Sequence, residues 1–130
     1  MLFAKNIHFQ LKEYIPNIGT VRIIVVGENE VCSIIRMNKE NDFRCSAPNS
    51  KSTINSYSCN ESIIELAVKT AKAVNFEFVG IDVIEDKEGN PYVLEVNYPN
   101  DFTIPANFTK VNVAESIVTF LYEKSNKQKI

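Results

Sequence analysis

The sequence predicts an α+β fold: a mostly antiparallel sheet of two hairpins packed against two helices. Three observations carry that expectation. Two pairs of segments rich in Val, Ile and Phe, within 21–37 and 77–98, are each joined by a short polar turn. Between them, residues 59–74 repeat apolar side chains at helical spacing. A second capped, amphipathic stretch follows Asn112.

Taken in order, Ile7 to Ile15 reads as extended and ends at the turn signal Pro16-Asn17-Ile18-Gly19. Val21 to Val26 is a β-branched run that Gly27-Glu28-Asn29-Glu30 turns back into Val31 to Met37. From Asn38 to Tyr57 the chain is polar, rich in Asn and Ser, with Pro48 inside. It reads as a loop of about twenty residues, a length that in compact domains marks function or mobility. Ser58 as N-cap with Glu61 three residues on fits a capping box. The helical stripe then runs through Ile63, Ile64, Ala67, Val68, Ala71 and Val74. Glu77 to Glu85 and Pro91 to Tyr98 flank the turn Asp86-Lys87-Glu88-Gly89-Asn90. Tyr98-Pro99-Asn100-Asp101 opens another loop, and Asn112 with Glu115 caps a last helix striped by Val113, Ile117, Phe120 and Leu121. Residues 1–124 are expected to form one domain and 125–130 a polar tail.

Composition removes several functional classes. The 130 residues are 45% hydrophobic, enough to bury about two-thirds of the unfolded surface without staples. Lys+Arg number 14 against 16 Asp+Glu, a net charge of −2, which argues against a nucleic-acid surface. No run reaches the roughly 18 apolar residues of a membrane span. Lys5 breaks the first apolar stretch too early for a secretory core, so the chain is expected to be cytoplasmic. Cys32, Cys45 and Cys59 contain no CxxC and His8 is the single histidine, so a disulfide or zinc framework is not expected. Gly19, Gly27, Gly80 and Gly89 spell neither common glycine-rich phosphate loop. Any nucleotide would be held by side chains, by metal ions or by a segment outside these residues.

The second hairpin carries the chemistry. Folded about its turn, it sets Glu85 opposite Pro91 or Tyr92, and the latter register puts Asp82 directly across from Glu95. Asn97 then shares their face, because residues alternate sides along a strand. The other side collects Val79, Ile81, Val83, Tyr92, Leu94 and Val96. Two facing carboxylates repel, and a hard cation such as Mg²⁺ would compensate with oxygen ligands. The bland alternative is a solvated polar face of an antiparallel sheet, although Phe78, Ile84 and Val93 on that face sit poorly in water. All three arginines, Arg22, Arg36 and Arg44, fall in the first half. Their planar forks suit phosphate oxygens. Arg22 and Arg36 would oppose each other on one face across a three-residue turn and lie on opposite faces across a two-residue turn. A pair of plain surface arginines is the competing reading.

Phe78-Val79-Gly80-Ile81-Asp82-Val83, followed by Tyr92-Val93-Leu94-Glu95-Val96-Asn97, resembles the C-terminal part of an ATP-grasp ligase. The likeness points to the branch holding ribosomal-protein glutamate ligases and the carrier ligases of lysine biosynthesis. It implies two Mg²⁺ ions bridging ATP phosphates, with Asp82 on one, Glu95 on both and Asn97 on the second. Lys12-Glu13-Tyr14-Ile15 resembles the hinge that holds adenine, so Glu13, Tyr14 and Ile15 are its cofactor-binding residues. Arg22, Arg36 and Arg44 resemble the arginines that stabilise the phosphates and an acyl-phosphate. Cys45-Ser46 and Asn49-Ser50-Lys51 stand where the family continues with an asparagine and Arg-Gly-Gly, and Tyr98-Pro99-Asn100 where many members have Ser-Pro-Gly.

The resemblance, over about residues 8 to 124, implies an ATP-grasp C-terminal lobe. It would be the Mg·ATP-binding half of a carboxylate–amine ligase, acting through an acyl-phosphate on a small-molecule or peptide carboxylate and an amine. The chain is expected to hold the back half of a nucleotide cleft. An N-terminal half on another chain, or a homo-oligomer, would be its partner. The alternative is a non-catalytic interaction module that keeps this scaffold.

Overall fold

The structure, a computed structural model, describes residues 9–37 and 52–127. A five-stranded, wholly antiparallel sheet carries helices on both faces. In chain order the strands are β1 (Gly19–Val26), β2 (Asn29–Met37), β3 (Thr53–Ser56), β4 (Phe78–Glu85) and β5 (Pro91–Asn97). The helices are α1 (Glu61–Ala73), between β3 and β4, then α2 (Thr103–Thr109) and α3 (Val113–Lys127) after β5. The sheet order is β3-β2-β1-β4-β5, so β1 sits at the centre with β4 at its side. The α+β class is therefore as the sequence predicts, with three helices instead of two. No helix among the described residues is long and apolar enough to cross a membrane.

One face is the principal core. Val21, Ile23 and Val25 of β1 pack with Val79, Ile81 and Val83 of β4 against Ile63, Ala67 and Ala71 of α1, all of them buried. The α1 residues recur every four positions, so one helical stripe meets one strand face. The other face is covered at one end only, where Ile24 and Cys32 meet Val113 of α3 with Phe78, Phe102, Ala106 and Ile117 around them. Leu121 of the expected α3 stripe points elsewhere and is 55% exposed. The helix itself runs on to Lys127, into the expected tail.

The elements depart from expectation where local signals are weak. Residues 9–17 form no strand. The first turn narrows to Gly27-Glu28, with Gly27 at φ +63°, and Phe120 lies against it: a Cβ on Gly27 would meet the ring at 2.6 Å. The expected long loop ends in β3, which pairs with β2; residues 38–51, including Arg44, Cys45 and Pro48, lie outside the described residues, as does His8. Helix α2 was hidden because its sequence, TIPANFT, has Pro105 and β-branched residues and no apolar stripe.

The cap of α1 is Asn60 and not Ser58. Asn60 Oδ1 accepts the Ile63 N–H at 3.0 Å, and its amide donates to Glu85 at 3.0 Å. Asparagine caps as well as serine, and the helix begins at Glu61, two residues later than a Ser58 cap would require. Asn60→Ala is expected to lower unfolding free energy by about 1 kcal/mol, and Ser58→Ala to leave it unchanged. Paired denaturant titrations check this; equal losses would contradict the assignment.

Candidate functional site

Two bulges set the geometry. In β2, Val31 is the extra residue between the pairs Ile24↔Cys32 and Val25↔Glu30. The turn has two residues, yet this insertion restores the parity that such a turn would have broken. Arg36 pairs with Thr20 and Arg22 with Ile34, so both arginines share a face as diagonal neighbours. In β5, Leu94 is the extra residue. The hairpin starts with Glu85 opposite Pro91 and, past the bulge, has Asp82 opposite Glu95. Each of the two registers read from the sequence thus holds on one side of Leu94. Val79, Ile81, Val83 and Val96 face the core as expected. Tyr92 now pairs with Ile84, and Val93 with Val83, so those two exchange faces relative to the simple alternation.

Arg22, Asp82 and Glu95 therefore lie in one row across β1, β4 and β5, with Asn97 two residues beyond Glu95 on the same side. Arg22 Nε and a terminal nitrogen donate to Asp82 Oδ1 and Oδ2, both at 2.7 Å. This fork-on-fork pair is the strongest form of a carboxylate–guanidinium contact. Asp82 is buried, whereas Glu95 is exposed, so the group opens to solvent on its β5 side. The Asn97 amide has its best partners with oxygen and nitrogen exchanged. Its nitrogen then donates to Glu95 Oε1 at 3.2 Å, and its oxygen accepts from Arg22 at 3.1 Å.

Arg22 supplies a positive charge to the facing carboxylates, where the sequence calls for a cation. The hydrogen bonds to Asp82 raise the arginine's pKa against the desolvation of burial, and the charges of Asp82, Glu95 and Asp101 add to the rise. Asp101 is the residue that sequence reasoning missed. Its carboxylate accepts the Thr103 N–H at 2.8 Å at the start of α2. Hydrogen bonds from Thr103 hold its pKa below the ordinary carboxylate value, with Arg22 adding to that. The one available signal was its place in the loop straight after Glu-x-Asn.

Asp82, Glu95 and Asn97 are thus brought together, with Arg22 among them and Arg36 diagonal to it. Tyr14 lies apart. It lines a cavity of about 350 Å³ with Val21, Ile35, Tyr57 and the turn residues Asp86 and Lys87. Val21 and Ile35 belong to the α1 side of the sheet, and none of Arg22, Asp82, Glu95 and Asn97 lines that cavity. Ile15 is tied to Asn17, whose amide donates to its carbonyl at 2.7 Å, and Glu13 is exposed. Burial raises the pKa of both described cysteines, Cys32 and Cys59, which works against an activated thiol at either.

Two carboxylates and an amide oxygen make a donor set for a hard cation such as Mg²⁺, which takes few protein ligands and shares the rest with phosphate and water. Among the described residues no cluster of three or more His, Cys, Asp and Glu could hold a metal, so the amide is needed to complete the set.

Comparison with known proteins places the chain in a family and a fold. A family model described as a RimK-like ATP-grasp domain matches residues 1–121. A probable alpha-L-glutamate ligase of Alkalilimnicola ehrlichii is 33% identical over 127 residues, covering 95% of this chain and 40% of the relative. A ribosomal protein bS6–L-glutamate ligase of Escherichia fergusonii is 29% identical over 119 residues, covering 89% and 39%. The chain thus spans about 40% of the length of the curated relatives it matches. Among solved structures, the ATP-grasp ligase PsnB complexed with a phosphomimetic variant of its minimal precursor, Mg and ADP superposes with a TM-score of 0.68 at 18% identity, covering 87% of this chain and 34% of that one. A D-alanine–D-alanine ligase from Bacillus anthracis gives 0.62 at 15%, covering 89% and 42%. At these identities the structural matches are likenesses of fold.

Proposed function

The chain belongs to the RimK-like ATP-grasp family, and from that premise we propose that it is the Mg·ATP-holding part of an ATP-dependent carboxylate–amine ligase. One observation carries the reading: Asp82, Glu95 and Asn97, drawn from two strands, turn their oxygen-bearing side chains to one face beside Arg22. A scaffold kept only for protein contacts has no chemical need for that set. Asp82, Glu95 and the Asn97 oxygen would hold Mg²⁺. Bound there with ATP, Mg²⁺ would neutralise charge on the transferring phosphoryl group. Arg22 and Arg36, on the same face, would bind phosphate oxygens and stabilise charge that builds on the acyl-phosphate. No side chain acts as a nucleophile; positioning and charge neutralisation carry the reaction. Glu13, Tyr14 and Ile15 are the proposed adenine-side contacts and Arg44 a further phosphate contact. The substrates would be a small-molecule or peptide carboxylate and an amine. The rest of the cleft would come from what corresponds to the remaining length of the relatives, or from a second copy of the chain.

Titration calorimetry of the chain with ATP, with and without Mg²⁺, tests this. Binding in the millimolar range, about −4 kcal/mol, is expected with Mg²⁺ present. No heat at millimolar Mg·ATP would overturn the proposal and leave the interaction-module reading.

A further inference from the structure

We propose that Arg22 competes with a divalent cation for Asp82, so that the cation and a polyphosphate enter together by drawing Arg22 off Asp82. The inference rests on the reading of Asp82, Glu95 and Asn97 as metal ligands.

The geometry points to it atom by atom. Both Asp82 oxygens accept from the Arg22 fork at 2.7 Å, and the Asn97 oxygen accepts from the same guanidinium at 3.1 Å. Two of the three donor groups are thereby engaged by one cationic side chain. The Asn97 nitrogen, in that orientation, is turned to Glu95 at 3.2 Å. A divalent ion arriving alone meets a positive charge already seated on its ligands. A polyphosphate arriving alone meets Asp82, Glu95 and Asp101. Each ligand removes the obstacle to the other, because phosphate oxygens match the guanidinium fork as well as a carboxylate does. By linkage, whatever the phosphate does for the metal, the metal does equally for the phosphate. Arg22 lies on the central strand, and its side chain keeps 28% of its surface exposed, which leaves it room to turn outward without unfolding the sheet.

The test removes the resident cation. Arg22→Gln, titrated with Mn²⁺ alone and followed by the spin resonance of free Mn²⁺, is expected to bind about tenfold more tightly than the unaltered chain. Arg22→Lys should fall between them, since it keeps a charge and loses the fork. Equal or weaker Mn²⁺ binding by a folded Arg22→Gln, judged by circular dichroism, would overturn the proposal. The unaltered chain provides a second measurement that depends on no variant. Its Arg22 Nε–H resonance should shift with Mg·ATP and stay put with Mg²⁺ alone; a resonance that saturating Mg·ATP leaves unmoved would also overturn it. Should the unaltered chain bind no Mg·ATP while Arg22→Gln takes up Mn²⁺ more tightly, the ligase reading falls and the role of Arg22 stands.

Discussion

Glu95→Ala is expected to remove measurable Mg·ATP binding and to leave the fold almost untouched. Glu95 is exposed on the outermost strand, directly opposite Asp82. Its loss relieves one like-charge cross-strand pair, a gain of about 0.2–1 kcal/mol, and gives up a screened attraction to Arg22 of similar size. The net change in stability should therefore stay within about 0.5 kcal/mol, as at most surface positions. Binding has no such cancellation. Altering even the outer partners of metal ligands typically costs about 10–100-fold, and losing a charged ligand itself should cost at least the upper figure. Calorimetry and a thermal melt on the same preparation read both quantities. Asp82→Ala is a poorer probe, because it also strips Arg22 of its bidentate partner and mixes a folding defect with a binding one. Unchanged Mg·ATP affinity in a folded Glu95→Ala would remove Glu95 from the site.

The site was legible in the sequence to the extent that it depends on one hairpin. Asp82, Glu95 and Asn97 lie within a single turn-connected unit, so strand alternation alone puts them on one side. Their partner was not legible. Arg22 reaches Asp82 through the β1–β4 pairing, 60 residues apart in sequence, and no local pattern fixes the register of strands so separated. The sequence nevertheless posed the right electrostatic question, since facing carboxylates need a positive charge. It pointed to a hard cation for that charge, and the structure adds Arg22 beside the same carboxylates. The bulges at Val31 and Leu94 were invisible for a similar reason. Nothing in VCS or VLE differs from ordinary strand sequence, and tertiary packing selects the residue that drops out of the ladder. Helix α1 and the β4–β5 hairpin came through because each has a period of its own. Strand β3 has only four residues and exists through its edge pairing with β2. Asp101 could not be read because its role depends on how the loop after β5 folds back toward β1.

How that loop is held leads to the second large effect. Gly80 of β4 has no room for a side chain: a Cβ there would lie 2.3 Å from Asn100 Oδ1 and 2.8 Å from its Cγ. Asn100 is buried, and among the described residues neither of its amide atoms has a hydrogen-bond partner. The segment around it is pinned on both sides. Tyr98 stacks on Phe76 at 4.2 Å, and Phe102 meets Phe78 edge-to-face at 5.8 Å. A methyl group at position 80 must displace the buried Asn100 side chain, with the strand or loop around it, at about 2 kcal/mol for Gly80→Ala. Because Asp101 follows Asn100 directly, the shift should also carry Asp101 away from Arg22. Asn100→Ala, which removes the obstructing amide and two unpaired polar atoms, should be close to neutral alone. In the double variant it should recover most of the Gly80→Ala loss. A four-protein cycle of denaturant titrations measures this coupling, expected to exceed about 1 kcal/mol, within the range for residues in contact. Simple additivity would mean that Asn100 does not dictate glycine at position 80 and that the loop is free to move without disturbing Arg22.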